Sequence, residues 1–289
     1  MTPSRVLVTG ANGQLAHHII QAFSDRSVTG LDRSQLDVTD PDAVRRVVAD
    51  LAPDLIVNCT AFNDVDGAED RPNAAMAVNA FAVRSLALAA QQLGATLVHY
   101  STDFVFDGTG STPYGENDEP APQSTYAASK LLGEWFALEA PHALVLRVES
   151  LFGSPSGWAG RRGTVDNIVF GLRAGREVPV LVDRIVSPSY SPDVAAATRH
   201  LIEGDAASGI YHCVNAGHAT WEAVAIEVAR QLGVEPRLKR LKMDELKLKA
   251  ARPRYCALAT AKVAAEGFVM PPWQDAVARW LLSQSAAQA

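Results

Sequence analysis

Residues 5–16 read RVLVTGANGQLA, and this stretch decides the fold. A short apolar, β-branched run is followed at once by a turn with two glycines and then by a helix-like segment. Strand, glycine-rich turn and helix form the context that a dinucleotide-binding fingerprint requires. Gly10 permits the tight turn, and Gly13 lets the backbone approach a pyrophosphate at the helix N-terminus. Ala16 replaces the third glycine and is small enough to keep the helix close to the strand.

A second motif, STYAASK at residues 124–130, follows Thr102 by about two dozen residues. Tyr126 and Lys130 lie one helical turn apart on one face. A phenol has a pKa of about 10, and we expect the nearby ammonium to lower it. Thr102 offers a hydroxyl to the substrate carbonyl oxygen with which Tyr126 would exchange a proton. Alone, Tyr-x-x-x-Lys also fits an exposed helix face. Joined to the glycine turn, it predicts proton transfer at a carbonyl or alcohol while a hydride moves elsewhere.

Composition narrows the class of protein. The chain has 289 residues, 48% hydrophobic and 20% charged, as in soluble globular proteins with one large domain or one and a half. The net charge of −6 shows no excess of basic residues of the kind that binds nucleic acid. We expect no membrane partner, because no apolar run in the sequence reaches the length needed to span a bilayer. Cys59, Cys213 and Cys256 lack metal-ligand spacing, so no metal site is predicted. No signal-peptide pattern is seen, which favours the cytoplasm.

The first half of the chain alternates between strand and helix patterns. Short apolar strands are predicted at 6–9, 28–31, 55–59, 97–101 and 143–148. Helices are predicted from Asp40-Pro41 onward, over about 72–93 and over about 126–139. This alternation predicts an α/β fold of the Rossmann type, with a doubly wound parallel sheet.

The second half has a different pattern. A Gly/Ser/Pro-rich loop is predicted at 153–163, strands at 178–182 and 210–214, and helices at 191–202, 220–232 and 273–282. We expect residues 1–150 to form a dinucleotide-binding domain, with segments near 178–215 returning to it. Residues 151–289 are expected to form mainly a smaller substrate-binding subdomain.

With these motifs in this order, the chain resembles the extended short-chain dehydrogenase/reductases, and among them the dTDP-4-dehydrorhamnose reductase family. The resemblance is strong over the first 150 residues and patchy beyond. It is carried by residues 8–15, 36–40, 53–58, 65–69, 78–80, 101–108, 113–114, 126–134, 187–190, 193–195 and 252–253.

The resemblance implies contacts along the whole of a nicotinamide dinucleotide. The implied positions run from the pyrophosphate (Gly10, Asn12, Gly13, Gln14, Leu15) and the adenine (Asp37, Val38) to the nicotinamide half (Ala61, Phe62, Asn79, Tyr126, Lys130).

Two neighbouring residues give conflicting signals about the cofactor. Asp32 ends the second strand, where a carboxylate would bond a ribose 2′-hydroxyl and repel a 2′-phosphate. Arg33 and Ser34 come next and offer groups that bind such a phosphate. We expect NADPH, with NADH as a substitute.

For the substrate, the resemblance implies that Thr102, Asp103 and Tyr126 face a sugar and that Arg252 binds its diphosphate. The chain departs from the family in two places. The family's Arg-x-Ser-Trp is replaced by residues 147–150, which read RVES, and Phe104 stands where the family usually has Tyr.

The missing Trp removes a large aromatic side chain from the expected pocket. We therefore expect Ser150 on the pocket wall, with a shifted sugar preference or another aromatic such as Trp158 filling the space.

The implied reaction is reduction of a 4-keto-6-deoxy sugar nucleotide. Tyr126 donates the proton, Lys130 tunes it, and Thr102 hydrogen-bonds the developing oxyanion. Three alternatives stay open. A 4,6-dehydratase needs a second acid–base pair, and Phe104 cannot supply the base beside Asp103. A sugar-nucleotide epimerase and a non-catalytic NADP-binding regulatory subunit of the methionine adenosyltransferase type share the scaffold. A homodimer is among the expected assemblies.

Overall fold

The strands of the computed structural model, which describes residues 2–155, 158, 160 and 162–286, are short. They are β1 Arg5–Thr9, β2 Ser27–Leu31, β3 Leu55–Asn58, β4 Thr96–Thr102, β5 Ala143–Val148, β6 Leu151–Phe152, β7 Val178–Leu181, β8 Ile185–Val186, β9 Ser189–Tyr190, β10 Gly209–His212, β11 Ala219–Thr220 and β12 Leu238–Leu241. Six of them form one parallel sheet in the order β10-β5-β4-β3-β1-β2.

Helices fill the intervals between the strands. They are α1 Gln14–Ala22, α2 Pro41–Leu51, α3 Val65–Asp70, α4 Pro72–Met76, α5 Ala82–Leu93, α6 Thr125–Ala137, α7 Thr164–Arg173, α8 Ser191–Glu203, α9 Trp221–Leu232, α10 Ala261–Ala265 and α11 Trp273–Ala286. A π-helical turn, Ala77–Phe81, joins α4 to α5. Sequence patterns did not predict α3, α7 or α10.

Helices cover both faces of the sheet. On one face, Ile19 of α1 and Val194 of α8 are fully buried against the strands. On the other, Val44 of α2 and Leu86 of α5 are fully buried. All four residues of β3 are buried, which explains their continuous apolar run. The predicted doubly wound parallel sheet is confirmed.

Local signals placed the helix ends correctly. The Asp40 carboxylate accepts hydrogen bonds from the backbone N–H groups of Asp42 and Ala43, both at 3.0 Å, so it caps α2. Thr220 caps α9 through the N–H of Ala223 at 3.1 Å. Such a cap contributes about 1 kcal/mol. These bonds satisfy backbone donors that have no partner inside the helix.

The π-helical turn fixes the helix that carries Tyr126. Within the turn, Asn79 donates from Nδ2 to the Ser129 hydroxyl at 2.9 Å, and its Oδ1 accepts from the N–H of Phe62 at 2.8 Å. Gly133 of α6 lies against the same turn. A Cβ on Gly133 would lie 2.1 Å from the Asn79 carbonyl oxygen, so only glycine permits this approach. Asn79 thus holds α6 and the loop after β3 together.

Residues beyond 150 are shared between two cores. β10 joins the main sheet beside β5, and α8 packs on α1. β7 instead pairs with β12 in a separate two-stranded sheet, against a second core from α7, α9 and α11. β10 therefore belongs to the main sheet and β7 does not, and the return of segments near 178–215 to the first domain stays a prediction. The domain boundary near 150 stays a prediction. Within the predicted loop at 153–163, Ser156, Gly157, Ala159 and Arg161 lie outside the described residues.

One helical segment contradicts the prediction that no apolar stretch is long enough to span a bilayer. Residues Pro72–Leu93 form 22 residues of helix with a mean hydropathy of 1.3, enough by length and composition to cross a bilayer. Half of this apolar window is buried inside the protein. That burial is what a core helix of a globular domain shows, because the apolar face packs on the sheet.

Candidate active site

A cavity of about 590 Å³ lies where the carboxyl ends of β1, β3, β4 and β5 meet the second-half segments. This is the edge at which parallel sheets bind ligands. The predicted residues on its wall are Asn12, Gly13, Gln14, Leu15, Ala61, Thr102, Asp103, Tyr126, Lys130 and Ser150. The predicted residues outside its lining are Gly10, Asp32, Arg33, Asp37, Val38, Phe62, Asn79 and Arg252. The cavity therefore brings the glycine turn and the Thr/Tyr/Lys set together.

The end of the cavity that is expected to hold the nucleotide is formed by the start of α1. Gly13 precedes the helix, and no side chain caps the first-turn N–H groups. Gly10 has φ +71°, and a Cβ there would lie 3.1 Å from the backbone of Cys59. Uncapped amides and the positive helix end bind anions, so this turn fits a pyrophosphate. The Asp32 carboxylate lies nearby and accepts from Nδ2 of Asn12 at 2.9 Å.

Thr102, Asp103 and Tyr126 form the centre of the site. The Thr102 hydroxyl donates to Oδ1 of Asp103 at 2.9 Å, and all three side chains are buried. The Tyr126 ring packs edge-on against Phe104, with centroids 5.6 Å apart. Burial, and then the charge of Asp103, raise the pKa of Tyr126 above its ordinary value, while hydrogen bonding with Thr102 opposes the rise. The expected lowering of this pKa by Lys130 is therefore wrong for this structure.

Lys130 is buried one helical turn after Tyr126. Its Nζ donates to the Tyr100 carbonyl oxygen at 2.5 Å and lies 3.4 Å from Nε2 of His99. Burial lowers the pKa of Lys130 to about 8, although Glu134 opposes the shift. The ammonium therefore comes close to titration near neutral pH.

His99 was not predicted as a site residue. Oδ1 of Asn58 accepts from the Thr9 hydroxyl at 2.9 Å and from the N–H of Thr60 at 3.1 Å, so its Nδ2 faces Nδ1 of His99 at 3.1 Å. Burial and Lys130 hold the pKa of His99 well below its usual value, so the ring is neutral. This network assigns the ring proton to Nε2. With its proton on Nε2, His99 accepts nothing from Lys130, whose ammonium donates to the Tyr100 carbonyl oxygen instead.

The substrate end of the cavity contains the departures from the family pattern. Ser150 lines the wall with φ 46°, a left-handed conformation that is uncommon for a residue with a side chain. Trp158 also lines the wall, as one of the two alternatives for the missing family aromatic proposed. Trp221 and Arg184 line it as well, and neither was predicted.

Arg252 has a protein partner in this structure. Its guanidinium donates to both carboxylate oxygens of Asp66, at 2.9 and 3.0 Å. Asp66 also accepts from the N–H of Ala250 at 2.9 Å. Contact between Arg252 and a diphosphate would have to replace this bidentate pair, and the role stays a prediction.

Known proteins resemble this chain over nearly its whole length. The family model described as RmlD substrate binding domain matches residues 4–285. A dTDP-4-dehydrorhamnose reductase from Streptomyces griseus is 37% identical over 273 residues, covering 91% of this chain and 88% of the relative. The protein of the same name from Mycobacterium tuberculosis (strain ATCC 25618 / H37Rv) is 36% identical over 287 residues, covering 95% and 91%.

Solved structures agree with these matches. A crystal structure of dTDP-4-dehydrorhamnose reductase from Bacillus anthracis str. Ames in complex with NADP has a TM-score of 0.90 and 31% identity, covering 96% of this chain and 99% of that one. A UDP-glucose 4-epimerase from Thermus thermophilus in complex with NAD has a TM-score of 0.81 at 22% identity, covering 98% and 99%. The second likeness shows the fold alone.

Proposed function

The chain belongs to the RmlD substrate binding domain family, and on that premise we propose that it reduces a 4-keto-6-deoxy sugar nucleotide with NADPH, or with NADH as a substitute. It is an oxidoreductase acting on a sugar-nucleotide carbonyl. The observation that carries the proposal is the single cavity shared by Thr102, Tyr126, Lys130 and the glycine turn.

The residues present fit a nicotinamide dinucleotide. The uncapped first turn of α1 offers backbone N–H groups to a pyrophosphate, and Gly13 leaves room for it. Ala61 and Lys130 line the same cavity, where they would contact the nicotinamide half. When bound, the nicotinamide supplies the hydride. The protein holds the nicotinamide and the substrate carbonyl in position for the transfer.

We assign the proton to Tyr126. Its raised pKa keeps the phenol protonated at neutral pH, so it is able to donate to the substrate oxygen as negative charge develops there. The Thr102 hydroxyl donates to Asp103 in this structure and would turn toward the same oxygen when the substrate binds. Lys130 stays positively charged below a pH of about 8. We assign it to the hydroxyls of the nicotinamide ribose and not to tuning Tyr126, whose pKa it does not lower here. Tyr126 and Thr102 thus act on the charge that appears on the substrate oxygen during reduction.

A panel of substrates tests the proposal. Purified protein is mixed with NADPH or NADH and several 4-keto-6-deoxy sugar nucleotides, and cofactor oxidation is followed by absorbance. We expect turnover with at least one of them. Tight cofactor binding without turnover on any member would contradict the proposal and favour the regulatory alternative. Conversion of a sugar nucleotide without net cofactor consumption would favour the epimerase.

Two further expectations accompany this function. An enzyme acting on a nucleotide-activated sugar works where such nucleotides are made, so we expect it in the cytoplasm. A homodimer stays a prediction, and sedimentation of the purified protein across a concentration series tests it.

A further inference from the structure

A buried polar cluster lies behind the substrate end of the cavity. We call Asp103, Glu149, Arg184 and Cys256 the rear cluster. Asp103 and Glu149 are each 2% exposed. One ligand atom each from Asp103, Glu149 and Cys256 lie within 4.8 Å of one another. The guanidinium of Arg184 lies among them, with Nη2 3.6 Å from Sγ of Cys256 and 3.9 Å from Oδ2 of Asp103.

Three atoms of the rear cluster are buried without a hydrogen-bond partner among the described residues. They are Oδ2 of Asp103, Oε1 of Glu149 and Nε of Arg184. Native proteins satisfy nearly all buried polar atoms, so three such atoms in one place require an explanation. A purely structural ion pair would close to hydrogen-bond distance, whereas Arg184 and Asp103 stay 3.9 Å apart. The rear cluster therefore keeps hydrogen-bonding capacity that its own residues do not use.

The charges of the rear cluster balance if Glu149 is neutral. Burial, and then the neighbouring Asp103, raise the pKa of Glu149 well above its usual range. Its Oε2 accepts from the N–H of Ser187 at 2.5 Å, so the acid proton belongs on Oε1. Burial raises the pKa of Asp103 as well, but the Arg184 guanidinium opposes that rise and favours Asp103 as the anion that faces it. A metal ion at the same place would repel this built-in cation.

Arg184 connects the rear cluster to the reacting centre. Its side chain is 11% exposed and lines the cavity together with Asp103, whereas Glu149 does not line it. The guanidinium lies 5.2 Å from the centre of the Phe104 ring, and that ring packs against Tyr126. Arg184 thus stands one ring away from the assigned proton donor.

We propose that Arg184 contacts the substrate and determines sugar specificity by donating to oxygens beside the keto carbon, and that Glu149 is the positioning residue that holds Asp103 and Arg184 for this contact. The inference rests on the proposed function and deepens it. A sugar presents hydroxyl oxygens in several directions, and a guanidinium has fixed donors that select among them. Ser150 lines the same cavity at the position where the family has an aromatic residue.

The test compares Arg184→Gln, Arg184→Lys, Glu149→Gln and Glu149→Ser with wild type, on whichever keto-sugar nucleotide wild type reduces. Arg254→Gln is the matched control, since Arg254 is an exposed arginine paired with Asp183 and Asp244. Loss of hydrogen bonds from a charged donor predicts a fall of about 10- to 100-fold in kcat/KM for Arg184→Gln, mainly through KM. We expect a partial loss for Arg184→Lys, which keeps the charge without the fork.

Two readouts separate this role from a structural one. The NADPH dissociation constant is expected to stay within about twofold in the Arg184 variants, because this contact is made to the sugar. Glu149→Gln, which mimics the protonated acid, is expected to retain most of kcat/KM, whereas Glu149→Ser loses it along with Arg184's support.

Each contrary result has a distinct meaning. Arg184→Gln within twofold of wild type, or a parallel loss of NADPH affinity and thermal stability, overturns the assignment of Arg184. Equal effects of Glu149→Gln and Glu149→Ser overturn the positioning role of Glu149. One equivalent of zinc that Cys256→Ser removes would assign the rear cluster to a metal instead. Absence of turnover in wild type contradicts the proposed function, and this inference falls with it.

Discussion

Replacing Tyr126 with Phe removes one oxygen atom from the centre of the site. The Phe104 contact and the surrounding packing against Ala68 and Ala75 depend on the ring and stay intact. We therefore expect a change in the free energy of unfolding of at most about 1 kcal/mol. The reaction loses its proton donor, which is worth about 10²- to 10⁴-fold in rate. That loss corresponds to about 3–5 kcal/mol of activation free energy.

The assay is single-turnover oxidation of bound NADPH on mixing with saturating keto-sugar nucleotide, which isolates chemistry from product release. Cofactor affinity is measured separately by fluorescence titration. Tyr211→Phe is the matched control, because Tyr211 is a buried tyrosine whose hydroxyl donates to the Ala207 carbonyl at 2.8 Å, away from the cavity. We expect the control to keep the wild-type rate.

The pH dependence of the same rate gives an independent check. Because the pKa of Tyr126 is raised, the phenol stays protonated through neutral and mildly alkaline pH, and its titration removes no activity there.

The proton-donor role is refuted if Tyr126→Phe keeps more than about a tenth of the wild-type single-turnover rate.

Three further predictions concern charge, cofactor and sugar. The pKa of Lys130 is lowered from 10.5 to about 8, so above that pH the unfolded chain binds more protons and wild-type stability gains as pH rises. The gain in the free energy of unfolding amounts to about 3 kcal/mol between about pH 7 and pH 10, and Lys130→Met should lack it. Denaturant unfolding across this pH range measures the gain. Parallel plots of unfolding free energy against pH for the two proteins would contradict the prediction. Arg33→Ala should weaken NADPH binding while sparing NADH, and equal dissociation constants for the variant and wild type would remove Arg33 from cofactor choice. Ser150→Trp should reorder the preference among sugar nucleotides, and an unchanged ranking would show that this position does not select the sugar.

Short-range patterns in the sequence determined the fold and the outline of the site. The apolar runs of the strands, the caps at Asp40 and Thr220 and the glycine turn at residues 10–13 each depend on neighbours within a few residues. The spacing of Tyr126 and Lys130 placed both on one helix face, and both line the cavity. Such features are local, because helix and strand periods convert spacing directly into a shared face.

Tertiary structure alone decided the electrostatics and the remote partners. Sequence spacing gives no measure of burial. Burial raises the pKa of Tyr126, against the expected direction, and lowers the pKa of Lys130. Arg184 meets Asp103 and Cys256 only because the turn between β7 and β8 folds back over the end of β4. Those contacts join segments far apart in the chain, and their geometry depends on how two separate cores pack. Packing of distant segments thus sets the charge balance on which the chemistry depends.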